Sequence, residues 1–115
     1  MNSKTEVKAT KFFLKQLKQF YKKYPSIKGD LSLLNKTLTQ NPKTGTPLGN
    51  NAFKIRIAIK SKAKGKSGGA RVISYVETEV IGIVENTTVN LITIYEKSEV
   101  SSISKEEILA LIENM

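Results

Sequence analysis

The stretch Phe53-Lys-Ile-Arg-Ile-Ala-Ile59 sets the fold class. Phe53, Ile55, Ile57 and Ile59 alternate with Lys54, Arg56, Ala58 and Lys60. A period of two belongs to a strand, so the apolar set faces a core and Lys54, Arg56 and Lys60 point the other way. Upstream, Asn41-Pro-Lys-Thr-Gly-Thr-Pro-Leu-Gly-Asn-Asn51 is turn chemistry throughout. Before it the period is helical. Phe13, Leu17, Phe20, Tyr21 and Tyr24 recur at three- and four-residue steps and predict a helix over 10–24. Ile27, Leu31, Leu34 and Leu38 predict a second helix over about 27–40, after the break at Pro25.

Downstream, residues 61–69 read as a basic, glycine-containing loop. Residues 70–76 form a second strand with Arg71, Ile73 and Tyr75 on one face. Val80-Ile-Gly-Ile-Val84 extends that strand or makes a short one of its own. Residues 89–95 are a third strand, apolar on both faces at Leu91, Ile92 and Ile94 and therefore central. Ser104 with Glu107 predicts a capping box, and Ile108, Leu111 and Ile112 give a last short helix its apolar face. Residues 5–9 leave room for one more short strand. The expected architecture is α+β in a single domain over 1–115. Two N-terminal helices pack on a twisted antiparallel sheet of three to four strands, followed by a short C-terminal helix. The helices cover one face of the sheet, and Lys54, Arg56 and Arg71 occupy the other.

Charge is distributed unevenly. Residues 1–76 carry 17 Lys or Arg against Glu6 and Asp30, whereas residues 77–115 carry Lys97 and Lys105 against eight Glu. The two parts are +15 and −6, together the +9 of the chain. So basic a surface repels itself and points to a phosphate-bearing partner. With no Cys there is neither a disulfide framework nor a thiolate zinc site, and with no His the usual proton shuttle and commonest transition-metal ligand are missing. No metal or other cofactor is expected. Apolar runs are too short to span a bilayer, and Met-Asn-Ser-Lys-Thr-Glu lacks the apolar segment of a signal peptide. A cytoplasmic protein without membrane contact is the expectation.

If strands 53–59 and 70–76 pair, Lys54, Arg56 and Arg71 converge on one patch. An RNA phosphate suits it, since arginine offers a planar fork and lysine a point charge. A solvated sheet face would use the same residues merely to blunt aggregation. Lys60, Lys62, Lys64 and Lys66 recur at every second position of the loop and suit contact with an RNA backbone, or plain solvation. Gly65-Lys66-Ser67 resembles the end of a P-loop, but Lys60 stands where that motif needs glycine and a strand follows, which excludes an NTPase. Lys8, Lys11, Lys15, Lys18 and Lys22 recur at the same steps on another face of helix 1, which reads as a solvated amphipathic face or as a secondary contact with RNA or an acidic protein partner. Tyr75 and Tyr95 are the aromatic candidates for RNA contact, and Lys97 is a base within the acidic third.

Taken together, Phe53-Lys-Ile-Arg-Ile57, Gly65-Lys-Ser-Gly-Gly-Ala-Arg-Val-Ile73 and Leu91-Ile-Thr-Ile-Tyr-Glu-Lys97 resemble the core of the RelE/ParE superfamily of bacterial type II toxin–antitoxin toxins, in its HigB-like, RelE-like branch. The turn segment from Asn41 to Gly49 is similar too, so the resemblance covers about residues 41–112. It implies a RelE-like microbial-RNase fold. It also implies a ribosome-dependent mRNA endoribonuclease that inhibits translation, and a cognate antitoxin, an acidic or helix-turn-helix protein, that silences it. The family's basic pair falls on Lys54 and Arg56, its strand arginine on Arg71 and its late basic residue on Lys97. The reactive tyrosine of some members would fall near Ile103, so that role is empty. The resemblance places Lys54 as base, Arg56 and Arg71 on the phosphate, and Lys97 as acid or leaving-group stabiliser, with the two lysine roles exchangeable. Relatives of the ParE type act instead on DNA gyrase, and a non-catalytic basic nucleic-acid-binding module is a third reading.

Overall fold

A computed structural model describes residues 2–62, 69–97 and 102–115. The elements run β1 (Asn2–Ala9), α1 (Lys11–Lys23), α2 (Ile27–Gln40), β2 (Thr46–Gly49), β3 (Ala52–Ile57), a 3-10 turn (Lys60–Lys62), β4 (Ala70–Ile81), β5 (Val84–Glu96) and α3 (Lys105–Glu113). The class is α+β, and the described strands form one sheet of five in the order β1-β5-β4-β3-β2. β2, β3, β4 and β5 pair antiparallel, and β1 runs parallel to β5.

Three expectations need correction. The sheet has five strands rather than three to four, it is mixed rather than antiparallel, and a strand precedes the two helices. β1 is an eight-residue edge strand whose only large apolar side chain is Val7, so little alternation marks it. Its partner lies more than 80 residues away, from Asn2 opposite Val84 to Ala9 opposite Leu91. β2 hides in the turn-rich segment because Pro47 is tolerated on an edge strand. Asn50 and Asn51, both at positive φ, close the β2–β3 hairpin as the paired left-handed positions of a two-residue turn.

Helix boundaries follow local chemistry. Thr10 caps α1 by accepting from the Phe13 amide at 3.2 Å, and the helix buries Phe13, Leu17 and Phe20. α2 buries Ile27, Leu34 and Leu38 together with the carboxylate residue Asp30. Ser104 caps α3 by accepting from the Glu107 amide at 3.1 Å, which is the predicted first half of the capping box. Among the described residues, no helix is long and apolar enough to cross a membrane.

The main core lies between α1, α2 and one sheet face, with Phe53, Ile55, Ile57, Ile59, Val72, Val76, Val89, Leu91 and Ile94 beneath the helices. A smaller cluster of Ala52, Ile73, Tyr95 and Ile108 lies on the opposite face, where α3 packs. The helices therefore cover both faces, not one. A bulge explains the apolar run in β5. Register shifts between Ile73–Thr93 and Ser74–Leu91, leaving Ile92 as the extra residue. Leu91 and Ile94 consequently share the main core, and Thr93 and Tyr95 turn to the α3 side. Gly69 permits the close approach of β3 and β4: a Cβ there would sit 2.0 Å from the Ile57 carbonyl oxygen.

Candidate nucleic-acid interface

The sheet register aligns the candidate site. Arg56 stands opposite Arg71 on β4, and Arg71 stands opposite Tyr95 on β5. One row perpendicular to the strands thus reads Arg56–Arg71–Tyr95, with neighbouring Cβ atoms about 5 Å apart. The adjacent row reads Lys54–Ile73–Thr93. Alternation puts Lys54, Arg56, Arg71, Tyr75 and Tyr95 on the α3 side of the sheet. The register thus sets two guanidinium groups side by side on that face.

Exposure grades the row. Arg56 is exposed and Lys54 half-buried. Arg71 is 4% exposed, with Nη1 donating to the Ala70 carbonyl at 3.2 Å. This differs from the expectation of an arginine on an open polar face. Tyr95 is 8% exposed. Burial pushes its hydroxyl above the usual tyrosine value, and the Arg71 charge pulls it back down in part. It stays a protonated hydrogen-bond donor at neutral pH.

The remaining candidates separate. Lys97 is exposed on the turn after β5, and Tyr75 is half-buried opposite Ala52. Lys60 is exposed. Lys62 is held by Glu96, with Nζ 3.0 Å from Oε1. Lys64 and Lys66 lie outside the described residues.

Glu96, 6% exposed, was not singled out by sequence reasoning. Its carboxylate accepts from Lys62, from Lys23 at 2.9 Å and from the Tyr24 hydroxyl. The Tyr24 pKa is raised, first by that hydrogen bond and then by burial. These contacts lock the end of β5 to the end of α1 and to the 3-10 turn. The turn is also tied to α2, since Asp30 accepts from Ser26 Oγ at 2.8 Å and from the Lys60 amide at 3.2 Å. The base of the lysine loop and the exit towards Lys97 therefore leave from one fixed point. Local sequence gives no sign of this, because the contacts join residues 34 to 73 positions apart.

A cavity of about 380 Å³ opens where β1 ends, lined among others by Phe12, Gln16, Tyr95, Glu107 and Asn114. Beyond Ala9 the outer edge of β5 is unpaired by β1, and Gln16 replaces the strand by accepting from the Ile94 amide and the Thr93 hydroxyl, both at 2.9 Å. Among the described residues, no group of three or more His, Cys, Asp and Glu gathers as metal ligands would. Compared with known proteins, the chain matches no family model and no curated protein significantly.

Proposed function

We propose that this chain is the toxin of a bacterial type II toxin–antitoxin module, with a RelE-like microbial-RNase fold, acting in the cytoplasm as a ribosome-dependent mRNA endoribonuclease. The observation that carries this reading is the Arg56–Arg71–Tyr95 row, flanked by Lys54 in the next row and Lys97 at the strand exit. The motifs that resemble the RelE/ParE superfamily supply the rest, and the partners are mRNA, the ribosome and a cognate antitoxin.

The chemistry needs neither histidine nor metal. The 2′-hydroxyl of one nucleotide attacks the adjacent phosphorus as a base takes its proton. The bond from phosphorus to the 5′-oxygen breaks, and that oxygen is protonated as it leaves, giving a 2′,3′-cyclic phosphate and a 5′-hydroxyl. Lys54 serves as base and Lys97 as acid, or the reverse. Arg56 and Arg71 neutralise the charge building on the phosphorane, and Tyr95 donates a hydrogen bond. Donors fixed in advance by a sheet act on the transition state without reorganising, each typically supplying about 3 kcal/mol. Alignment of the hydroxyl in line with the leaving oxygen supplies more.

Primer extension on mRNA from cells expressing the chain tests the reading. Discrete, ribosome-dependent cuts are expected. Intact mRNA with DNA damage would replace it with action on gyrase. Intact mRNA and DNA, with RNA still bound, would leave a non-catalytic module.

A further inference from the structure

The cavity beside Tyr95 is unused by the chemistry above, yet it continues the cationic row. The row crosses β3, β4 and β5 and ends at Tyr95, which also lines the cavity. Beyond Tyr95 the sheet stops, because β1 pairs with β5 only as far as Leu91. The space between the first turns of α1 and the outer side of α3 is thus an outcome of topology. Its walls combine apolar and polar groups. Phe12, 45% exposed, stands at one side although α1 buries its neighbour Phe13. Gln16 has its amide oxygen fully engaged by Ile94 and Thr93, which leaves its NH2 group as a donor without a partner among the described residues. Asn114 spends its NH2 group on the Ala110 carbonyl at 2.7 Å, leaving its oxygen as an acceptor. The Glu107 amide is taken by Ser104, but its carboxylate makes no hydrogen bond or ion pair among the described residues.

A flat aromatic wall, one donor and two acceptors around such a volume match a nucleobase. The Glu107 carboxylate repels phosphate and accepts from an amino group, as glutamate does with cytosine. Charge therefore sorts a bound nucleotide: phosphate to Arg56 and Arg71, base to the cavity. We infer that this cavity is a nucleobase site selective for bases carrying an exocyclic amino group, adjoining the phosphate row at Tyr95. That the base belongs to RNA rests on the endoribonuclease reading.

The test uses the full chain and uncharged nucleosides, which the basic surface does not attract. Adenosine or cytidine at millimolar concentration should shift the side-chain amide resonances of Gln16 and Asn114, and uridine should not. Phe12→Ala should weaken adenosine binding about tenfold, the usual effect of losing one stacked base. Glu107→Gln should weaken adenosine and let uridine bind. Both positions are exposed, and an unchanged amide spectrum elsewhere certifies the fold. Absence of shifts, shifts outside the cavity, or equal response to uridine would overturn the proposal. Nucleosides that bind as described in a chain that leaves mRNA intact would remove the nuclease reading and keep the base site. Cleavage without nucleoside binding would do the opposite.

Discussion

Arg71 faces Tyr95 across the β4–β5 ladder, both nearly sealed from water, and the cation partly offsets the rise that burial imposes on the tyrosine hydroxyl. An arginine placed this deeply has two effects when it is removed, and the substitution chosen must separate them.

Arg71→Ala empties a buried site and should destabilise the chain by about 1–3 kcal/mol. Arg71→Lys keeps the stem and the charge but loses the planar fork. It should slow cleavage on preassembled ribosomal complexes about 100-fold, as loss of an oxyanion donor does, with a melting temperature within a few degrees of the wild type. Cleavage at the wild-type rate by folded Arg71→Lys would remove Arg71 from the phosphate.

The tyrosines make an alkaline limit. Tyr95 and Tyr24 both have folded pKa values raised above the ordinary 10.0. The folded state therefore holds their protons more tightly than the unfolded chain does. Their contribution is fully present below pH 10 and is lost as pH rises from there through the folded values. Urea midpoints for the wild type should fall more steeply above pH 10 than those of Tyr24→Phe or Tyr95→Phe. Parallel curves would show that neither hydroxyl is coupled to folding.

Glu96 holds a different part of the molecule. Glu96→Ala leaves Lys62, whose side chain is 13% exposed, and the Tyr24 hydroxyl without their acceptor. We expect a loss of about 2–4 kcal/mol in urea unfolding, less than for a fully buried pair because Lys23 reaches solvent. Lys62→Ala should destabilise, and Lys60→Ala, at an exposed position, should not. Equal effects at 60 and 62 would contradict the pairing.

Cleavage should also proceed without a transition metal, since the chain offers neither His nor Cys. A chelator selective for transition metals, which spares ribosomal magnesium, should leave the rate unchanged. Loss of activity restored by zinc or manganese would overturn this.

On the proposed toxin reading, a cognate antitoxin should approach through charge. Residues 1–76 carry +15, so association should slow as salt is raised. Lys60→Ser, which leaves the Lys62–Glu96 pair intact, should slow association and flatten its salt dependence in stopped-flow measurements. An unchanged rate would place docking away from that end of the loop.

Local periodicity determined much by itself. The steps of Phe13, Leu17 and Phe20 marked α1, those of Ile27, Leu34 and Leu38 marked α2, and the alternation of residues 53–57 marked β3 with Lys54 and Arg56 on its polar side. These patterns are legible because one amphipathic element repeats its own burial every two or 3.6 residues. Tertiary structure decided what depends on distant pairing. Local pattern left room for a short strand at 5–9 but held no sign of its extension to Asn2 or of its parallel docking on β5, and β2 lay concealed in turn residues. The bulge at Ile92 turned Tyr95 to the face of Arg71, and Arg71 became buried where its own strand pattern read as an open polar face. Glu96 became a clamp and Gln16 a strand substitute only through partners dozens of residues away. Register and burial are properties of pairs of elements, so a single segment carries no record of them.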